Sequence, residues 1–206
     1  MRLLMMRHGS TPSNEAHRYL GLSDESLSAA GRAQCLQAGV LPQVERVYVS
    51  ALTRTRESAR ICFPQAELVE VPGLEEFDFG SFEGKSAAEM ADDLAYRTWV
   101  DGGCVGQCPG GDSRAGYVER VSTAFAGLVA SVQARGEEDL TVVAHGGTIM
   151  AVFSTFADAT REQVSGFDDY FCWQVGPAEG FMATVRSGGD GLRIEDVTRF
   201  HHLPHL

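Results

Sequence analysis

Lysine is almost missing from this 206-residue chain, where Lys85 stands alone against sixteen arginines. A cationic surface is missing too: the net charge is −11, and such a surface repels nucleic acid and anionic membrane. Cysteine is sparse, odd in number and scattered, at Cys35, Cys62, Cys104, Cys108 and Cys172, which argues against a disulfide framework. The pair Cys104-Val-Gly-Gln-Cys108 has no second pair beside it, so reduced thiols in a glycine-rich loop are expected there rather than zinc. No apolar run approaches the roughly 20 residues that a membrane span needs, and Leu3 to Met6 is too short for a secretory signal. Repeats and linkers are absent. The chain therefore reads as a single domain over residues 1–206, soluble and cytoplasmic, with neither nucleic acid nor membrane as partner. Nothing in it sets an oligomeric state.

What is present is an alternation of strands and helices. Leu3 to Met6 reads as a short buried strand that runs straight into Arg7, His8 and Gly9. Helix formers fill Leu27 to Val40, with Ser28 as a possible N-cap. Val47 to Val49 is a second strand, followed directly by a polar helix over Thr53 to Cys62. A third strand, Leu68 to Val71, is closed by Pro72-Gly73. Ser86 to Tyr96 has helical character, and Asp101 to Asp112 is a glycine-rich loop. Ser113 to Ala134 places Tyr117, Val121, Phe125, Leu128 and Val132 near helical spacing. Leu140 to Ala144 is the clearest buried strand, and His145-Gly-Gly147 leads from it into an apolar helix over Thr148 to Phe156. Tyr170 to Trp173 reads as core. Two antiparallel strands, Phe181 to Arg186 and Leu192 to Thr198, close the chain around the Gly188–Gly191 turn. The tail from Arg199 to His205 reads as a solvated terminus. The pattern predicts an α/β fold: a three-layer α/β/α sandwich on a mostly parallel central sheet.

In such sheets ligands bind beyond the carboxyl ends of the parallel strands. One strand ends at Arg7-His8-Gly9, another at Ser50 to Arg54, and the clearest one at His145-Gly146-Gly147. If these strands are neighbours, two His and two Arg meet in one crevice of an acidic protein. That composition calls for a small anion. Guanidinium forks match phosphate oxygens bidentately, and glycines let the backbone and helix N-termini approach it. One neutral imidazole could attack phosphorus, while the other, with the arginines, stabilises transition-state charge. The stretch Gly80-Ser-Phe-Glu-Gly84-Lys85-Ser86 imitates a P-loop. It has one residue too few between its glycines and no strand feeding it, so an NTPase is rejected.

These residues resemble the histidine phosphatase superfamily, which includes cofactor-dependent phosphoglycerate mutases. Arg7-His8-Gly9 with Asn14 carries the resemblance first. It continues at Tyr19-Leu-Gly21, at Leu27-Ser-Ala-Ala-Gly31, and at Ser50-Ala-Leu-Thr-Arg54-Thr with Ser58-Ala59. It ends with Leu74-Glu-Glu76-Phe-Asp-Phe-Gly80-Ser-Phe-Glu-Gly84 and Val143-Ala-His145-Gly146. The matches fall in family order over most of the chain. The resemblance implies His8 as nucleophile, and Arg7, Arg54 and His145 as holders of the phosphoryl group. It implies assistance from Asn14 and the Gly146 backbone, with Tyr19 and Gly21 among the substrate-binding positions. Glu76 takes the part of general acid. No metal and no other cofactor are implied.

One carboxyl group can protonate the leaving oxygen and later deprotonate water. Glu75 and Glu83 compete with Glu76 for that task, and on a strand Glu76 would share a face with Asp78. The spacing around Tyr19 to Asp24 and Phe79 to Gly84 looks most like the small-molecule phosphatase branch, including α-ribazole phosphatases. The expected activity is therefore hydrolysis of a small phosphomonoester through a phosphohistidine. The alternatives are a phosphoglycerate mutase and a catalytically idle phospho-ligand binding module. Mutases usually carry a longer chain and a Glu-Arg-x-Tyr-Gly segment where this chain has Glu76-Phe-Asp-Phe-Gly80. Tyr96, Trp99 and the loop from Gly102 to Asp112 are expected to cover the site and shape the pocket for the substrate's other half.

Overall fold

The structure is a computed structural model that describes residues 1–157, 170–189 and 191–204. Six strands form one sheet: β1 (Arg2–Arg7), β2 (Arg46–Val49), β3 (Glu67–Glu70), β4 (Asp139–Ala144), β5 (Gly180–Gly188) and β6 (Gly191–Phe200). Their order across the sheet is β3-β2-β4-β1-β5-β6. The strands β3, β2, β4 and β1 run parallel, and β5 and β6 add an antiparallel edge. The sheet is thus mostly parallel, as its alternation with helices predicts.

Side chains alternate across β1 and assign the helices to its two faces. Leu3 and Met5 are buried with Tyr117, Val121 and Phe125 of α5 (Arg114–Ala134) and Ile149 to Phe153 of α6 (Gly146–Phe156). Leu4 and Met6 are buried on the other face, with Cys35 and Ala38 of α2 (Ala29–Ala38) and Ala59 and Cys62 of α3 (Thr53–Cys62). A strand buried on both sides reads as a continuous apolar run, and that is why Leu3 to Met6 carries no polar residue. Each such side chain contributes about 1.5–3 kcal/mol on leaving water.

Several local expectations hold. Ser28 caps α2 by accepting from the Gly31 N–H, and Ser113 caps α5 through Gly116. Trp173 is buried against Phe153 and Phe181, so the Tyr170 to Trp173 stretch is core. Others shift. Residues 87–92 form turns, and the helix starts only at α4 (Leu94–Asp101), capped by Asp93. The cause is tertiary: Arg18 bridges Ser86 in an extended conformation and forks onto Glu89. The apolar helix begins two residues earlier than expected, at Gly146. A short helix, α1 (Pro12–Glu15), was not foreseen although its signals are present, with Thr11 and Asn14 forming a reciprocal capping box and Pro12 at its start. Asp190, in the expected Gly188–Gly191 turn, and His205 lie outside the described residues. The tail before His205 is fastened rather than free, with His201 on Glu179 and His202 on the Gln37 carbonyl. All five cysteines are free, and among the described residues no helix is long and apolar enough to cross a membrane.

Candidate active site

The register of β1 against β4 pairs Arg7 with Ala144, so the next residues along, His8 and His145, emerge side by side. Their rings lie 5.2 Å apart, edge to face. The register of β2 against β4 pairs Val49 with Val143, which brings Ser50 and the start of α3 to the same end of the sheet. Two glycines make the crossing possible. A Cβ on Gly9 would sit 2.4 Å from the Gly31 carbonyl oxygen, and one on Gly31 would sit 1.9 Å from that of Ser10. The loop after β1 therefore packs backbone to backbone against α2, and Ser58 holds it by accepting the Gly9 N–H at 3.0 Å.

His8 is buried, and its Nδ1 lies 2.7 Å from the Gly9 carbonyl. A carbonyl only accepts, so Nδ1 carries the proton and Nε2 keeps its lone pair. Burial first, then the charges of Arg54 and Arg7, hold His8 well below its ordinary value, so it is neutral at neutral pH. His145 has the opposite tautomer. Its Nδ1 accepts from Arg54 Nε at 3.3 Å, and its Nε2 donates to Ser50 Oγ at 2.8 Å. Burial and Arg54 hold it neutral as well.

Arg54 is wholly buried, a costly state for a guanidinium unless every donor is answered. Its Nη2 donates to the Gly21 carbonyl at 2.6 Å and its Nη1 to the Ser23 carbonyl at 2.9 Å. Each terminal nitrogen keeps a second N–H for a ligand. Glu83 holds the receiving loop from behind, accepting the N–H groups of Gly21 and Ser23. Asp24 fixes the same loop to the start of α3 through the Thr53 N–H and hydroxyl. Gly21 thus reaches the site through Arg54, and a Cβ there would lie 1.9 Å from the Phe77 carbonyl oxygen. Arg7 donates to the Val175 carbonyl at 2.9 Å, while its Nε is buried with no partner. A buried guanidinium donor without an acceptor, beside a helix start at Gly146 that no side chain caps, is a seat for an anion.

Glu76 lies in an irregular segment between β3 and the turn at Gly80–Phe82, not on a strand, so no shared face with Asp78 arises. Asp78 turns to the glycine-rich loop, where it accepts the Gly80 N–H, while its own N–H donates to Asp112. Glu76 Oε1 accepts from the Phe77 N–H at 2.9 Å and the Tyr117 hydroxyl at 2.7 Å, and Oε2 accepts from the Gly147 N–H at 3.0 Å. Its two competitors are engaged elsewhere: Glu75 holds the Gly73 N–H and pairs with Arg120, and Glu83 braces the Arg54 loop.

A cleft of about 400 Å³ opens here, lined by Arg7, Asn14, Tyr19, Glu76 and Gly146 among others. Its far wall is aromatic, with Tyr19, Phe79 and Trp99 in mutual ring contact and Phe77 beside them. Of the residues expected to cover the site, Trp99 and Cys104 line the cleft, whereas Tyr96 stands behind Tyr19, hydroxyl to hydroxyl at 3.0 Å. A larger cleft of about 660 Å³ lies at the amino ends of the strands, among Arg2, Glu45, Arg46, Glu67 and Asp139. Its arginines are spent on ion pairs with those carboxylates and with Glu137, and it faces away from both histidines. Sequence reasoning missed Gly147, Tyr117, Val175 and the bracing role of Glu83. Only the doubled glycine of His145-Gly-Gly147 offered a signal.

This geometry has counterparts. Residues 3–171 match the histidine phosphatase superfamily (branch 1), and the chain belongs to that family. Among curated relatives it is 30% identical over 173 residues to an acid phosphatase of Mycobacterium tuberculosis, covering 81% of this chain and 80% of that one. It is 29% identical over 184 residues to 2,3-bisphosphoglycerate-dependent phosphoglycerate mutase 2 of Gloeobacter violaceus, covering 84% and 83%. A putative α-ribazole-5′-P phosphatase of Escherichia coli shares the fold at a TM-score of 0.76 and 20% identity, covering 100% of this chain and 99% of that one.

Proposed function

We propose that the protein is a metal-independent cytoplasmic phosphomonoesterase that works through a phosphohistidine on His8. The observation that carries this reading is the Gly9 carbonyl on His8 Nδ1, which leaves Nε2 an unprotonated nucleophile beside two guanidinium groups. The phosphoryl oxygens lie against Arg7, Arg54, the Asn14 side chain and the Gly146 N–H, and His145 contributes by holding Arg54 Nε at 3.3 Å. His8 Nε2 attacks phosphorus, the ester P–O bond breaks, and Glu76 gives its proton to the leaving oxygen. Water then attacks phosphorus as Glu76 takes a proton from it. The N–P bond breaks, and inorganic phosphate leaves with both side chains restored. The charge that grows on the equatorial oxygens meets donors that the fold already holds in place at the buried end of the cleft. No cofactor takes part.

The substrate is a small phosphorylated metabolite. The aromatic wall around Tyr19, Phe79 and Trp99 suits a flat apolar body, and α-ribazole 5′-phosphate, with its benzimidazole, is the specific candidate. A second reading, phosphoglycerate mutase, is favoured by the cations that line the cleft beside Arg7, where Arg114 lies over the Tyr170 and Phe171 rings and Arg18 is forked onto Glu89.

Phosphate release without added metal separates the readings. The panel is α-ribazole 5′-phosphate, 3-phosphoglycerate, nucleotides, sugar phosphates and an aryl phosphate. Release that needs no bisphosphate primer supports the phosphatase. Primed transfer of label between positions of phosphoglycerate, without release, supports the mutase. Neither, with a melting temperature raised by vanadate, indicates a binding module.

A further inference from the structure

Tyr117 is the one buried phenol whose hydroxyl meets the proposed acid. It is fully buried on α5, donates to Glu76 Oε1 at 2.7 Å, and lies 3.1 Å from Thr148 Oγ1. Thr148 is buried too, and its hydroxyl reaches the Leu74 carbonyl at 3.2 Å. With its own proton committed to Glu76, the phenol oxygen is left to accept from Thr148, whose single hydroxyl proton goes either there or to the Leu74 carbonyl, and bulk water reaches neither hydroxyl. Burial first, and then the charge of Glu76, hold the Tyr117 hydroxyl well above its ordinary value, so it stays a donor.

The two oxygens of Glu76 are consequently unequal. Oε1 faces two donors, the Phe77 N–H and the Tyr117 O–H. Oε2 faces one, the Gly147 N–H. A proton on Oε1 would force the Tyr117 hydroxyl to turn away and would oppose the Phe77 N–H. A proton on Oε2 disturbs neither.

Resting on the reading of Glu76 as general acid, we propose that Tyr117 is a positioning residue that occupies Oε1 and thereby assigns the transferable proton to Oε2. Thr148 anchors the phenol in that orientation. Tyr117 itself takes no proton from the substrate and gives none to it. It acts only through Glu76, and that separates it from a residue that merely fills the core.

The test is Tyr117→Phe, which keeps the ring and removes the hydroxyl. It is read as kcat/KM for an alkyl phosphate and for 4-nitrophenyl phosphate. The alkoxide must be protonated as it leaves, whereas 4-nitrophenolate departs without help. For the alkyl ester kcat/KM should fall about 10- to 100-fold, part of the 10²–10⁴ that a positioned acid contributes. For the aryl ester it should fall less than about threefold. Equal losses on both esters would overturn the proposal. On a Glu76→Gln background, Tyr117→Phe should cost nothing further, and an additive loss would overturn it equally. If Tyr117→Phe does not fold, Thr148→Val should show the same selective loss in smaller measure, and an unselective loss there counts against the proposal. A His8→Ala protein that kept wild-type turnover would strike instead at the catalytic reading beneath it.

Discussion

Arg54→Lys keeps the positive charge after β2 and removes the fork that carries it. In the native side chain three nitrogens answer three acceptors: the Gly21 carbonyl at 2.6 Å, the Ser23 carbonyl at 2.9 Å and His145 Nδ1 at 3.3 Å. An ammonium is a compact point donor on a flexible stem and cannot span these positions while also facing a ligand. Losing one or two charge-assisted bonds in a wholly buried place costs about 2–4 kcal/mol. At roughly 2–4 °C per kcal/mol for a chain of this size, melting should drop by about 4–16 °C. Activity should suffer more than stability. The lost fork served developing charge, and one such donor is commonly worth about 10²–10³ in rate. The assay pairs a melting curve with kcat/KM for an aryl phosphate. A lysine variant within about threefold of wild type, with unchanged melting, would refute the assignment of Arg54 as a bidentate phosphate holder.

The pH dependence of stability should be set by the two buried histidines. Both are held below the ordinary 6.5, so below that pH the unfolded chain binds protons that the folded chain does not. Stability should therefore fall as pH is lowered from about 7.5 to about 5.5, by up to about 1.4 kcal/mol per unit for each histidine, and His8→Ala should flatten the slope of melting temperature against pH. Glu179 acts in a lower window. Burial would raise it, but bonds from Arg199, His201 and Gly176 bring it to about 2, so its contribution is lost only as pH falls below about 4.5 toward that value. Gly147→Ala would put a Cβ 2.2 Å from Glu76 Oε1. Displacement of the carboxylate should slow esters with poor leaving groups at least about tenfold, measured against 4-nitrophenyl phosphate in the same preparation. Phe79→Ala removes part of the aromatic wall and should raise KM for an aromatic phosphomonoester about fivefold, equivalent to ~1 kcal/mol of ring contact, with KM for a glycerol phosphate unchanged.

The parts of the site legible in sequence are those that a strand end places by itself. Arg7-His8 and His145 follow apolar runs whose ends the sheet must align, so their convergence needed only the inference that these strands are neighbours. Arg54 was legible for the same reason, at the start of the helix that follows β2. Glu76 was located by resemblance, and its supports were not readable. Tyr117 is 41 residues away from it and carries the helical spacing of an ordinary core residue. Glu83 sits in an acidic stretch that looks solvated, yet it braces Arg54 through the Gly21 and Ser23 N–H groups. The Val175 carbonyl that takes Arg7 is backbone and leaves no residue signature. The helix expected over Ser86 to Tyr96 was displaced by Glu89, whose tertiary pairing with Arg18 overrides local propensity.

The central claim is a covalent phosphoryl group on His8. Rapid acid-free quenching during turnover of an aryl phosphate, followed by peptide mass spectrometry, tests it directly. The account expects a phosphoryl adduct on the peptide bearing His8, formed within one turnover, chased away by water and absent from His8→Ala. Sustained turnover with an unmodified His8 peptide, or an adduct that persists in His8→Ala, would contradict it.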